Sequence, residues 1–392
     1  MNQEQAACIA LYHTRHIGPQ RLYRLLDHFQ TASNIVNADL QQLQSVNLSK
    51  QLISAILKPN WRMADKVATW VLEPDHHVVF FNEPSYPTLL KQINTPPALL
   101  YIVGDIQLLN KPQLAMVGTR KPTPSGQEAA YQFAYEAVYN QLCITSGLAI
   151  GIDTISHQTA IDNQGKTIAV LGCGVDVIYP SQNKKLYQDI REQGAIVSEF
   201  ALGAQPTARH FPQRNRIIAG LSSGTLVVEA AVKSGSLITA QYALDANRDV
   251  FAIPGSIYNE QAQGCHSLIK QGATLVESFS DIADNFNFNH FNSVTSGPSR
   301  IQPKAALKTV KSHHTTQENQ LPQQSALDLT EIDPTSICVL EHLGFEATAI
   351  DQLVERTGLA AEVISSSLLN LELDGRVSTI PGGYIRTKGK RL

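Results

Sequence analysis

The chain has 392 residues, 43 % of them apolar and 17 % charged, which allows several domains and excludes a wholly disordered chain. Its 31 Lys and Arg against 34 Asp and Glu leave a formal net charge of −3, so no global positive field draws it to nucleic acid or to an anionic membrane. Any polyanion has to meet a local patch.

Five scattered cysteines (Cys8, Cys143, Cys173, Cys265, Cys338) form no C-x-x-C pair, so neither a cysteine zinc site nor a dithiol redox motif is expected. The opening MNQEQAACIALYH lacks the basic and apolar regions of a signal peptide, and no run of about 18 apolar residues predicts a membrane helix. A reducing cytoplasm is the expected location.

Residues 1–75 read as helical, with apolar positions such as Ile9, Leu22, Leu25 and Phe29 at three-to-four spacing around a break at His16-Ile17-Gly18-Pro19. A second break at Val46-Asn47-Leu48-Ser49 suggests two short hairpins of helix-hairpin-helix type, whose turn amides can hold a phosphate. A small packing or partner domain is the equal alternative.

Residues 76–284 change pattern. From Gln113 onward, the short apolar runs LAMVG, LCITSG, TIAVLG, AIVSE, TLVVEA, DVFAIPG and ATLVES alternate with amphipathic stretches near 125–139, 153–163, 182–193, 213–221, 237–246 and 264–271. Such alternation predicts an α/β domain, a doubly wound Rossmann-like parallel sheet covered on both faces, with ligands outside the carboxyl ends of the strands. Residues 285–331 read as a polar linker with scattered basic residues. Residues 332–392 carry a winged-helix pattern, whose candidate recognition helix AAEVISSSLLNLELDG has no Lys or Arg. That suits a protein contact as well as DNA, although Arg386, Lys388, Lys390 and Arg391 leave a basic tail.

The candidate functional residues fall on the loops after the strands. Gly118, Thr119, Arg120 and Lys121 follow the first, and Ser146 and Gly147 the second. Gly172 follows the third, with Lys184 and Lys185 opening the next helix. Phe211, Arg214, Asn215 and Arg216 start another helix, and Lys233, Ser234, Gly235 and Ser236 form the turn before the last long one. Small residues let backbone amides approach an anion, and guanidinium and ammonium groups neutralise it. One of the arginines could instead lock its loop against Glu199 or Glu229. The chain lacks G-x-G-x-x-G with its acidic partner, G-x-x-x-x-G-K-[ST], a Gly-x-Ser-x-Gly elbow and metal-ligand spacing of histidines, so no catalytic residue, cofactor or metal is predicted.

Together GTRKPTPSG, ITSGLAIGIDTISHQTAI, LGCGVDVIYPSQNKKLY, HFPQRNRIIAGLS and VVEAAVKSGSLITAQYALDANRDVFAIPGSI resemble the DNA-processing protein A (DprA/Smf) family in order and spacing over roughly residues 80–280. The resemblance implies a bacterial cytoplasmic, non-enzymatic protein that binds single-stranded DNA and dimerises through its Rossmann-like domain. It implies that the protein loads RecA onto DNA covered by single-strand-binding protein during natural transformation. Carried over by motif, Arg120, Lys184, Arg214, Asn215 and Arg216 are the expected phosphate contacts. Gly118, Ser146, Gly147, Gly172, Lys233, Ser234, Gly235 and Ser236 are expected to shape the pocket. The chain departs from the common Ser-Gly-x-Ala-Arg-Gly-Ile-Asp form by placing Ile150 at the Arg position.

Two alternatives stand beside this one. Gly-Leu-Ser-Ser-Gly-Thr followed by Glu229 is similar to the loop of lysine-decarboxylase-like phosphoribohydrolases, with Glu229 as the group for N-glycosidic cleavage. An adaptor whose terminal domains recruit partners is the other.

Overall fold

The structure, a computed structural model, describes residues 1–257, 259–283, 333–343 and 347–387. The expected linker and the tail residues Lys388, Lys390 and Arg391 lie outside the described residues. Two compact units are present, Met1–Phe288 and Asn289–Leu392.

The first unit opens with six helices: α1 (Gln3–Tyr12), α2 (Pro19–Phe29), α3 (Ala32–Asn37), α4 (Leu40–Ser45), α5 (Lys50–Ile56) and α6 (Trp61–Trp70). Polar caps start most of them, with capping boxes at Asn2/Gln5 and Asp39/Gln42 and single caps at Thr31, Ser49 and Asn60. Both expected breaks are present: Gly18 caps α2 with Pro19 at its first position, and Asn47 takes positive φ ahead of α5. Leu11, Leu22, Leu25, Ile35, Leu43 and Ile56 fill the centre of this helical front.

The front is not separate from the sheet. Ile9 and Ala10 of α1 and Ala64 and Val67 of α6 pack into one core with Phe80, Leu99, Tyr101 and Val103. Residue 75 therefore marks a change of secondary structure, not a gap in packing.

The sheet comprises β1 (His76–Phe80), β2 (Leu99–Gly104), β3 (Gln113–Val117), β4 (Cys143–Ser146), β5 (Thr167–Val170), β6 (Ala195–Ser198), β7 (Gly224–Val227), β8 (Asp249–Ala252) and β9 (Thr274–Leu275). Their order is β1-β2-β6-β5-β4-β3-β7-β8-β9. The seven expected strands run parallel, and β1 and β2 add an antiparallel edge beside β6 that lies outside the expected set. Between and around the strands lie α7 (Thr88–Lys91), α8 (Pro124–Tyr139), α9 (Ile152–Asp162), α10 (Lys184–Gln193), α11 (His210–Leu221), α12 (Ser236–Asp245), α13 (Gln263–Lys270) and α14 (Phe279–Ala283). Alternate residues of β3 face opposite layers: Leu114 and Met116 pack with Phe133 of α8, while Ala115 and Val117 pack with Ile217 and Ile218 of α11. Burial on both faces explains the continuous apolar runs. From β3 the chain winds out to β6 and then crosses to β7, so the winding direction reverses between β3 and β7, where α/β folds open a crevice.

The second unit is the expected winged helix: α15 (Pro334–His342), α16 (Ile350–Thr357), α17 (Ala361–Leu373) and the hairpin β10 (Val377–Ile380) and β11 (Gly383–Arg386). Val339, Leu353, Ile364, Leu368 and Val377 form its core. Gly358 ends α16 in the left-handed region. At Gly383 a Cβ would lie 2.3 Å from the Thr348 carbonyl, so only glycine lets the wing close against that segment.

One histidine of the first unit, His157, is buried and another, His13, is half-buried. His13 sits 2.7 Å from the Tyr101 hydroxyl, and His157 Nδ1 lies 2.6 Å from Thr167 Oγ1, which itself donates to the Ile144 carbonyl. Burial pushes His13 down to about 4 and His157 to about 3. Both folded values lie below the unfolded 6.5, so between pH 6.5 and 4 the unfolded chain binds protons that the folded chain refuses, and stability falls as pH drops. Each histidine should remove about 2 kcal/mol between pH 7.5 and 5. The urea midpoint of the first unit is expected to fall over that range, and by about half as much in His157→Gln; equal falls in both proteins would contradict the assignment.

Candidate nucleic-acid interface

The loops after β3 and β7 are clamped together by one carboxylate. Thr123 donates from its backbone N and its Oγ1 to Glu229 Oε2 and Oε1, at 2.9 and 2.8 Å, and Asn259 Nδ2 donates to Oε1 at 3.1 Å. The Thr119 N–H donates to the Glu229 carbonyl at 2.7 Å. Glu229, 4 % exposed, is thus committed to holding two loops, the opposite of the free carboxylate that the hydrolase alternative requires. Gly118 fits here because a Cβ would lie 2.5 Å from Ile152. The clamp leaves Arg120 and Lys121 exposed at the crevice.

The loops after β4 and β5 are tied by Arg214. Its Nη1 donates to the carbonyls of Gly147 and Val170 at 2.6 and 2.5 Å, and its Nε to Asn215 Oδ1 at 3.1 Å. Opposite it, Asp153 accepts the N–H groups of Gly147 and Ala149 at 3.1 and 3.3 Å. Burial drives the Asp153 carboxyl up and the Arg214 guanidinium down from their ordinary values, and each charge opposes the shift of the other. Gly147 admits this bracket, since a Cβ there would lie 2.1 Å from Arg214 Nη1. Ser146 completes the turn by donating its hydroxyl to the Met116 carbonyl at 2.6 Å, so it shapes the loop from beneath.

Further along the rim, Gly172 lies under Phe211, and His210 Nδ1 meets the Gly172 carbonyl at 3.1 Å. The Arg120 guanidinium stands 5.7 Å from the centre of the Phe211 ring, and Tyr179 packs against the same ring with 5.7 Å between ring centres. Asn183 donates to the Leu148 carbonyl at 3.0 Å and to Thr154 Oγ1 at 2.8 Å, which anchors the start of α10 and leaves Lys184 and Lys185 exposed. Asn215 Nδ2 donates to the Gly235 carbonyl at 3.3 Å, while the Ser234 and Ser236 hydroxyls bond each other at 2.6 Å and Lys233 is exposed beside them. Arg120, Ile150, Gly172, Tyr179, Phe211 and Arg214 line a hollow of about 50 Å³.

Arg216 corrects the expected set. Residues two apart on a helix point about 200° apart, so Arg214 and Arg216 cannot share a face of α11. Arg216 turns away from the rim and pairs with Glu199, which also accepts from the Tyr12 hydroxyl at 3.2 Å. This is the locking role left open for one of the arginines. Burial raises the Glu199 carboxyl, with Arg216 opposing. Asn183, Asp153 and Tyr179 were absent from the predicted set; Asp153 and Asn183 each stand directly before or within a helix start, which was the available signal.

The model of the family described as DNA recombination-mediator protein A matches residues 77–287, and that of the DprA winged helix domain matches residues 320–383. The chain is similar to protein Smf of Escherichia coli, 36 % identical over 352 residues that cover 89 % of this chain and 88 % of that one. It is 47 % identical over 203 residues to the DNA processing protein DprA of Streptococcus pneumoniae, covering 52 % of this chain and 72 % of that one. The X-ray structure of the Streptococcus pneumoniae DprA aligns with a TM-score of 0.63 at 35 % identity, over 74 % of this chain and 99 % of that one. A family model spanning more than half the chain, on a fold whose crevice loops carry the same motifs, makes this chain a member of the DNA recombination-mediator protein A (DprA/Smf) family.

Proposed function

We propose that the chain binds single-stranded DNA along the carboxyl edge of its sheet and, as a cytoplasmic homodimer formed through the Rossmann-like domain, loads RecA onto incoming DNA covered by single-strand-binding protein. The observation that carries the reading is the division of labour among the charged groups. Arg214, Asp153 and Glu229 are buried and spend their hydrogen bonds largely on the loops, whereas Arg120, Lys121, Lys184, Lys185 and Lys233 stand exposed on the rim those loops form. An exposed cationic rim on a rigid frame suits a polyanion whose phosphates are read without regard to sequence. Phe211 supplies an aromatic face beside Arg120 on which a base can rest.

The winged helix takes a different part in this reading. Its α17 (AEVISSSLLNLEL) bears no Lys or Arg, which disfavours reading a major groove and suits a protein partner such as RecA.

Arg120→Glu and Lys184→Glu should each weaken binding of a fluorescent single-stranded oligonucleotide at least tenfold, alike for different base compositions. The log–log salt slope should drop by ~0.7 or more for each phosphate that is no longer neutralised. Wild-type affinity and slope in both variants would remove the site assignment. Arg120→Glu is further expected to lose the shortening of the lag in RecA filament assembly on DNA coated with single-strand-binding protein; a variant that loses DNA binding yet still loads RecA would overturn the mediator mechanism.

A further inference from the structure

The hollow at the centre of the rim is small, about 50 Å³, and Ile150 and Tyr179 line it beside Arg120, Phe211 and Arg214. A base that meets this site first meets the side chains that stand exposed around the hollow. Ile150 is 45 % exposed and Tyr179 40 % exposed there, unusual for large apolar side chains standing among cations. Their positions are fixed. Gly151 has φ +91° and packs so tightly on the β3 loop that a Cβ would lie 2.4 Å from the Thr119 carbonyl, which seats Ile150 next to Arg120. Tyr179 is held against Phe211, whose ring also carries Arg120.

Resting on the single-stranded DNA reading above, we infer that Ile150 and Tyr179 form an apolar shelf that carries a nucleobase while Arg120 takes the adjacent phosphate. An isoleucine side chain offers neither donor nor acceptor, so its contact is blind to base identity and independent of counterion release. Part of the affinity then survives high salt, and position 150 serves a base where a cation would have served a phosphate.

The test compares Ile150→Ala and Ile150→Thr with wild type on two oligonucleotides of equal length, one normal and one with abasic sites throughout, across a salt series. Thermal melting monitored by circular dichroism verifies the fold of each variant, and Ile150→Thr retains the β-branched shape. On the normal strand both variants should bind about fivefold more weakly with an unchanged salt slope, and Tyr179→Leu about tenfold more weakly. On the abasic strand the differences should vanish. Wild-type affinity in the Ile150 variants, an equal loss on the abasic strand, or a changed slope would overturn the shelf while leaving the DNA reading intact. Failure of the wild type to bind either strand would overturn both.

Discussion

The buried guanidinium of Arg214 is the constraint on which the rim depends. It is 5 % exposed and joins the carbonyl of Gly147, just after β4, to that of Val170, the last residue of β5, with Asp153 pulling the amides of the first loop from the opposite side. Taking such charges out of water costs several kcal/mol per ion, and against that cost stand the bonds that Arg214 Nη1 and Nε and Asp153 Oδ2 make to the loops. The arrangement is conditional in both directions: a Cβ on Gly147 has no room, and removing either charge strands the other. What it produces is a set of loops whose shape does not depend on a ligand. On the proposed reading, the exposed cations meet a phosphate without first ordering the backbone, which keeps the entropic cost of binding low.

Helix α11 carries this constraint into the rest of the unit. Its first turns place Phe211 and Arg214 at the rim, and one further step places Arg216 on the far face, against Glu199 and the Tyr12 hydroxyl of α1. One helix thus touches the crevice on one side and the helical front on the other. Because α1 and α6 share a core with β1 and β2, the front belongs to the sheet's own packing, and the antiparallel edge strands are what joins them. The same geometry explains why the Arg-Asn-Arg triplet, contiguous in sequence, divides into a bracket, a link to Gly235 and a buried ion pair.

The parallel sheet was legible because its strands are buried on both faces and read as unbroken apolar runs ending in small residues. The winged helix was legible through Gly358 and the Gly382-Gly383 pair, where the backbone takes positive φ. Of the edge strands that were not recovered, β1 (HHVVF) is short and only partly buried, while β2 (LLYIVG) is a fully buried apolar run that was open to reading; only the four-residue α7 lies between them. Within the candidate site, sequence placed the loops at one edge of the sheet but could not separate exposed cations from buried ones. Arg120 and Arg214 are the same residue type on neighbouring loops, and only packing shows that one faces water while the other is enclosed by carbonyls. The helical period would have separated Arg214 from Arg216, and the acid partners Asp153 and Glu199 were visible in the sequence without any sign of which arginine each would meet.

A net charge of −3 is compatible with the proposed binding of a polyanion, because there the charges that matter are arranged and not summed. With a Debye length of ~8 Å at physiological ionic strength, acidic residues elsewhere on the surface are screened from a phosphate at the rim, whereas Arg120 on its loop is within reach. Screening also weakens the rim cations themselves, and a purely ionic site would lose affinity steeply as salt rises. An aromatic face at Phe211 beside the guanidinium changes that balance, since stacking depends on the base and not on the ions around it. The structure shows a frame that spends its buried charges on backbone, and on the proposed reading the surface it leaves lets a modest number of cations and an apolar contact share the work of holding a strand.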